Sequence, residues 1–321
     1  MLSFRQWQPS SWDTHDFNGS IEASAGLRNR GDRVPVPHDC PADFLENAMP
    51  ELPEAEVVRR QLQEALAGVV IERLWIGRED IVRQGMETVS WYTRARILEV
   101  QRQGKSIAIV CERDAEQRVV IVELGMTGLL IFPREAVPSE RHVHMVMRFA
   151  RGPQLRYWNA RRFGRVYLLD LDAWGAYCRR RFGPEPLTVT EREFVALVKA
   201  CRGRVKALLL HQQRIAGIGN IYANESLFRA GIHPHARGCR LSKRRIRMLF
   251  AALRNVLADA IRMGGSSIRN FVAPDGRPGQ FQTRHQVYQK EGARCPKGCR
   301  TVIRCLAGER ASFFCPTCQK R

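Results

Sequence analysis

The chain has 321 residues, 44% of them hydrophobic, enough for two or three packed units rather than one. Its 52 Lys and Arg against 32 Asp and Glu give a formal net charge of +20, which points to a polyanionic partner, nucleic acid ahead of an acidic membrane surface. The longest apolar stretch after the first 48 residues, 119 to 132, is broken by Glu123, Gly125 and Gly128 and is too short to span a bilayer, which argues against a transmembrane role.

Residues 1 to 48 are a different kind of polypeptide. They hold four Arg and seven acidic residues, so the charge divides into −3 before Met49 and +23 from Met49 onward. The segment has no sustained apolar period and is rich in Gly, Pro, Ser and Asn, the composition of disordered chain. It has neither the apolar centre of a secretory signal nor the acid-poor, Arg-rich face of a transit peptide, so cytoplasmic residence is expected. Ten cysteines without a signal peptide, four of them in two close pairs near the C-terminus, favour metal binding over a disulfide framework.

From Met49 the elements follow in order. PEAEVVRRQLQEAL, 53 to 66, sets Val57, Val58, Leu62 and Leu66 on one helical face, with carboxylates early where the helix dipole favours them. Between about Val69 and Leu169 come short β-branched and apolar runs, VVIERLWI, SIAIVCE, VVIVEL, HMVMRF and RVYLLD, which predict a β-sandwich. GPEPL, Gly183 to Leu187, reads as a linker because its prolines disfavour helix and strand alike. Helical periodicity follows in EREFVALVKA, in GRVKALLLHQ and from Ile221 to Ala230. The clearest helix runs from Ser242, an N-cap, through Ile246, Leu249, Leu253, Val256 and Ala260 to a stop at Gly264. Loops GGSSIRNF and PDGRPGQF lead into the tail.

The tail reads Cys295-Pro-Lys-Gly-Cys299, then fifteen residues, then Cys315-Pro-Thr-Cys318. Two such knuckles can bring four thiolates onto one tetrahedral zinc. TVIRCLAGERASFF between them predicts a hairpin with its tip near Gly308, too small for a core of its own, so zinc supplies much of its folding energy. Cys305, inside a predicted strand, reads as a packed thiol. Upstream, Gly217 and Gly219 precede a helix whose first amides would point outward, an arrangement suited to phosphate. Asn220 can cap that helix or offer its amide to a phosphate, and Lys206 adds charge; the plainer reading is a tight turn that needs glycine.

GIGNIYANESLF resembles the helix-two-turn-helix segment of bacterial formamidopyrimidine-DNA glycosylases, and PELPEAEV from Pro50 resembles their N-terminal motif. LGMTG at Leu124 to Gly128, RRFG at Arg161 to Gly164, GPEPL, DGRPG at Asp275 to Gly279 and the cysteine tail extend the likeness from Met49 to Arg321. PELPE rather than PEGPE favours the oxidised-purine branch over the endonuclease VIII branch. The resemblance implies an α+β fold: a catalytic β-sandwich domain with flanking helices over 49–182, a helix-two-turn-helix domain over 183–275 and a zinc-ribbon hairpin over 276–321, with 1–48 an extension or a misassigned start. It implies a monomeric, nucleoid-associated enzyme of base excision repair with one structural Zn2+. Its substrate would be duplex DNA carrying 8-oxoguanine, formamidopyrimidines or abasic sites, its activities DNA glycosylase and AP lyase through an N-terminal proline Schiff base with β,δ-elimination.

An amine that attacks the anomeric carbon must be unprotonated, and an α-amino group, with a reference pKa near 8 against about 10.4 for Lys, meets that need at neutral pH. Proline meets it only as a chain terminus, so Pro50 as nucleophile predicts translation from Met49 with methionine removal, or loss of the upstream segment. By the resemblance Glu51 assists ring opening or departure of the base, while Lys105 contacts phosphate near the lesion and assists elimination. Arg310 contacts phosphates as electrostatic support, since guanidinium stays protonated. Met126 and Phe163 fill the gap left by the flipped nucleotide, Arg161 reads the orphaned partner, and His142, Lys206 and Asn220 contact DNA. Ordinary core or surface roles compete at each of these positions, and Glu54 reads as structural.

The loop GGSSIRNF would close over the flipped base. Departures from the family pattern are Glu123 for His, Asn159 for Asp, His211 for Asp, Gln280 for Tyr, and three residues rather than two in the first knuckle. They bear on lesion preference and opposite-base discrimination, not on a catalytic group. The competing readings are a glycosylase with broader or pyrimidine substrates and a noncatalytic DNA-binding zinc protein. A translation or transcription zinc ribbon leaves PELPEAEV, LGMTG and GIGN unexplained.

Overall fold

The computed structural model describes residues 49–132, 139–268, 271–308 and 310–321; the segment 1–48 lies outside them. Helix α1 (Leu52–Leu66) begins with proline in its first turn, where a missing N–H costs nothing. Its buried face serves two cores. Ala55, Val58, Leu62 and Leu66 pack against the sandwich, whereas Leu52 belongs to the core of the helical domain.

The sandwich is built from β1 (Ile71–Ile76), β2 (Val82–Gln84), β3 (Arg96–Gln103), β4 (Ser106–Arg113), β5 (Glu116–Glu123), β6 (Gly128–Ile131), β7 (Val143–Phe149), β8 (Leu155–Asn159) and β9 (Arg165–Asp170). One sheet has the order β1-β7-β8-β6, the other β2-β9-β5-β4-β3. Ile107, Ile109, Val120 and Val122 face the inter-sheet core, and the alternate residues Ala108, Val110, Val119 and Ile121 lie under Trp174 and Tyr177 of α2 (Leu171–Arg181). Covering on both faces explains why β4 and β5 read as continuous apolar runs rather than alternating ones. Helix α2 is held by its ends: Asp170 accepts the Ala173 N–H at 2.7 Å, and three arginines close its last turn.

GPEPL has neither helix nor strand, yet it does more than connect. Arg102, its side chain 6% exposed, pairs with Glu56 of α1 at 3.0 Å and with Glu185 at 2.9 Å. Glu185 also accepts the Gly104 N–H, at the β3–β4 turn that carries Lys105.

The second domain packs α3 (Glu191–Lys199), α4 (Val205–Leu210), α5 (Asn220–Arg229) and α6 (Lys243–Arg262) around Phe194, Leu209, Tyr222, Phe228, Leu249 and Leu253. The α6 ends are as expected: Ser242 Oγ accepts the Arg245 N–H at 3.3 Å, and Gly264 takes a left-handed φ of 76°. Strands β10 (Arg304–Leu306) and β11 (Ser312–Phe314) form the hairpin, and Ile303 and Phe313 pack into the helical core. Buried Glu225 of α5 accepts the N–H groups of Gln286, Val287 and Tyr288, fixing the chain that leads to the hairpin. Among the described residues no helix is long and apolar enough to cross a membrane.

Candidate active site and metal centre

Pro50 and Glu51 are buried where α1 meets α5. The Glu51 carboxylate accepts the Ile221 N–H at 3.0 Å and the Tyr222 N–H at 3.3 Å. These are first-turn amides of α5, which lack partners inside the helix and lie at its positive end. The turn read as a phosphate seat therefore gives two of its amides to the chain's own carboxylate. Gly219 permits the approach, because a Cβ there would sit 2.2 Å from the Glu51 carboxyl carbon. The Leu52 N–H donates to the Gly217 carbonyl at 3.0 Å and locks the two segments together.

Glu54, only 1% exposed, accepts from three directions: the Glu51 N–H at 2.8 Å, the Ser266 N–H at 2.6 Å and the Tyr222 hydroxyl. Ser266 Oγ lies 3.3 Å from Tyr222 Oη and 3.1 Å from His285 Nε2. Burial and then the charge of Glu51 raise the Glu54 pKa to about 7, against the pull of its hydrogen bonds. Burial also raises the Glu51 pKa, opposed by Lys105, the two amides and Arg310. Glu54 thus has a structural role, but one inside the site, and it ties α1 to the start of the loop that follows α6. Arg269 and Asn270 of that loop lie outside the described residues.

Half-buried Lys105, at the β3–β4 turn, has its pKa lowered by burial, with Glu51 opposing and Arg310 reinforcing the shift. Glu51, Lys105 and exposed Arg310 thus act on one another electrostatically. Burial thus pushes the carboxyl toward its acid form and the lysine toward its base form, the directions that favour proton transfer.

Lys206, expected to contact a phosphate, is turned toward the hairpin. It is 4% exposed, and its Nζ donates to the Ala311 carbonyl at 2.6 Å, Ser312 Oγ at 2.8 Å and the Arg310 carbonyl at 3.3 Å. An ammonium has three donors, and all three are spent on the hairpin. Burial lowers its pKa to about 7. Asn224 of α5 grips the same strand, accepting the Phe313 N–H at 3.0 Å. Neither anchor was visible in the sequence, because each spans more than 85 residues.

The sulfurs of Cys295, Cys299, Cys315 and Cys318 all lie within 4.8 Å of one another, with Sγ–Sγ separations of 3.8 Å for 295–318 and 3.4 Å for 299–315. A tetrahedron with zinc–sulfur bonds of about 2.3 Å has edges of about 3.8 Å, so the four thiols fit a metal of that size. Cys305 lies in β10, opposite Phe313 and outside the cluster.

The remaining candidates lie on the sandwich side and beside the turn. Met126 is half-buried, Phe163 is 52% exposed, and the Arg161 guanidinium stacks 5.1 Å from the Phe163 ring centre. His142 packs edge-on against Trp158, at 5.6 Å. Asn220 is the first residue of α5, not its cap, and its Oδ1 accepts from Asn224 Nδ2 at 3.1 Å. Glu123 pairs with Arg181 at 2.7 Å and accepts the Tyr177 hydroxyl at 2.6 Å, a structural use of that departure.

A β-sandwich and a helical domain meeting over a buried carboxyl pair, with a four-cysteine hairpin alongside, match the layout expected of the helix-two-turn-helix class of DNA glycosylase. The formamidopyrimidine-DNA glycosylase N-terminal domain matches residues 49–166, and the H2TH domain of the same family matches 182–272. The formamidopyrimidine-DNA glycosylase of Solibacter usitatus is 42% identical over 277 residues, covering 85% of this chain and all of its own. The crystal structure of MutM (Fpg) from Thermus thermophilus is 36% identical, with a TM-score of 0.74 over 84% of this chain and 98% of that one. A Lactococcus lactis Fpg variant in complex with DNA containing Fapy-dG is 32% identical, with a TM-score of 0.76 over 85% of this chain and all of that one. The chain belongs to the formamidopyrimidine-DNA glycosylase family.

Proposed function

We propose that the protein excises oxidised purines, 8-oxoguanine and formamidopyrimidines, from duplex DNA and then cleaves the strand, with Pro50 as nucleophile once Pro50 is the chain terminus. The observation that carries this reading is the seat of Glu51. A carboxyl beside the proline, fixed by the Ile221 and Tyr222 amides and raised in pKa by burial, is a group made to deliver a proton. The family match begins at Met49, one residue before the proline.

In this reaction the Pro50 nitrogen attacks the anomeric carbon, the bond to the base breaks and then the bond from that carbon to the ring oxygen, and Glu51 gives a proton to the departing base or to the ring oxygen as the sugar opens. The resulting iminium acidifies the neighbouring carbon, so the 3′ and then the 5′ phosphate leave by elimination. Lys105 and Arg310 hold the flanking phosphates. Lys206 and Asn224 brace the strand behind Arg310. Met126, Arg161 and Phe163 occupy the space of the extruded nucleotide, and His142 and Asn220 touch the DNA backbone. The metal is zinc, whose part is to hold the hairpin. The protein acts as a monomer in the cytoplasm, at the nucleoid.

The deciding experiment is borohydride trapping on duplex DNA containing oxidised guanine, with protein beginning at Pro50 and protein retaining the upstream 48 residues. A covalent adduct is expected with the shorter form alone. Equal trapping by both forms would move the nucleophile to a lysine or reveal processing. Trapping by neither would leave a DNA-binding protein without this chemistry.

A further inference from the structure

The two loops assigned above to the gap in the DNA, residues 124–128 and 161–164, hang on one buried amide. Asn159, the last residue of β8, is 0% exposed. Its Oδ1 accepts from Thr127 Oγ1 at 2.8 Å and from the Arg162 N–H at 3.1 Å. Thr127 Oγ1 accepts in turn from the Arg161 N–H at 3.0 Å. Arg161 thus makes a bond in this network itself, and Met126 on one loop and Phe163 on the other are each one residue from such a bond.

The backbone around this amide tolerates little else. Arg162 adopts a left-handed φ of 56°, a conformation an arginine keeps only when its surroundings hold it, and its N–H is shared between the Asn159 side chain and carbonyl. A Cβ on Gly125 would lie 2.5 Å from the Gly164 nitrogen, and one on Gly164 would lie 1.8 Å from Tyr157 Oη, so the loops abut backbone to backbone. Asn159 Nδ2 donates to Tyr157 Oη at 2.8 Å, which leaves the tyrosine hydrogen for the Glu123 carbonyl at 3.1 Å. A carboxylate at 159 would take that hydrogen and reverse the chain.

We infer that Asn159 is the positioning residue that presets the two loops for extruding a nucleotide, acting through Thr127 and the amides of Arg161 and Arg162. The inference rests on the gap-filling role proposed above for those loops. Flipping a paired base costs a few kcal/mol, whereas an abasic site has no base pair to break. Loosening the staple therefore slows attack on a paired lesion and spares a site that already lacks its base.

The test compares the trapping-competent form with Asn159→Ala, Asn159→Asp and Thr127→Val. Three quantities are read: single-turnover excision of oxidised guanine opposite cytosine, cleavage at a preformed abasic site, and fluorescence of 2-aminopurine beside the lesion as a report of extrusion. Thr127→Val keeps the volume of the half-buried side chain and removes only its hydroxyl. Asn159→Ala, which removes three side-chain hydrogen bonds, and Thr127→Val, which removes two, are each expected to slow excision and extrusion by about tenfold or more, with abasic cleavage within about threefold. Asn159→Asp, which keeps both acceptor bonds, is expected to recover much of the loss. Equal losses on both substrates, or none on the lesion, would overturn the inference. Extrusion without excision by the parent protein would refute the catalytic reading and leave the fluorescence to judge Asn159; a parent that does neither overturns both.

Discussion

Between pH 4.5 and about 7 the Glu54 carboxyl, raised by burial and by the charge of Glu51, keeps in the folded chain a proton that it releases in the unfolded one. The folded state binds more protons in that window, so this group makes stability fall as pH rises through it. His285, joined to the same cluster through Ser266, has the opposite sign. Burial lowers its pKa from 6.5 to about 4, the unfolded chain binds more protons between those values, and stability rises with pH across them. Glu54→Gln removes the first effect and keeps the second. The variant, though less stable overall, is expected to gain stability from about pH 5 to 6.5 more steeply than the parent, as read from urea midpoints. Parallel profiles would mean that Glu54 ionises in the fold as it does in water. The Glu51 motif was legible in the sequence because PELPEAEV is contiguous. The cluster around Glu54 was not, since Tyr222 and Ser266 lie 168 and 212 residues away.

At the scale of elements, the hairpin shows what a metal on its four cysteines would add. Its strands are three residues each, and three backbone pairs cannot hold a segment that carries exposed Arg310 into the site. Removing the metal by chelation, or replacing half-buried Cys299 with Ser, is expected to raise amide exchange throughout 295–318 and leave β4 and β5 protected. Borohydride trapping should fall with it. Retained protection after chelation would mean that Ile303, Phe313 and the Lys206 bonds suffice. Elements with strong local signals were readable: α6 has its cap at Ser242 and its stop at Gly264, and the knuckles announce themselves by spacing. Helix α2 has a weak sequence signal, because Gly175 stands inside it and only Trp174 and Tyr177 are deeply buried. GPEPL was readable as punctuation, but its clamp on Arg102 joins residues 83 apart.

At the scale of the whole molecule, α1 belongs to both cores, and Pro50 and Glu51 immediately precede it. The proposed chemistry therefore sits at the junction of the two domains, and the salt bridges of Arg102 with Glu56 and Glu185 hold that junction from the other side. Around it lies a chain with a charge of +23 from Met49 onward, which carries over to binding. Each phosphate neutralised by a protein cation releases condensed counterions, so log K falls with log salt by about 0.9 per phosphate on duplex DNA. Exposed Arg310 is proposed to make one such contact, whereas Lys206 is buried and spent on the hairpin. Arg310→Ala is thus expected to make the slope shallower by about one unit, and Lys206→Met to leave it nearly unchanged even if affinity falls. Titrations of an abasic-site duplex over a range of salt concentrations measure both slopes. A slope unmoved by Arg310→Ala would remove Arg310 from the phosphate contacts, and a slope reduced by Lys206→Met would mean that the hairpin releases Lys206 when DNA binds.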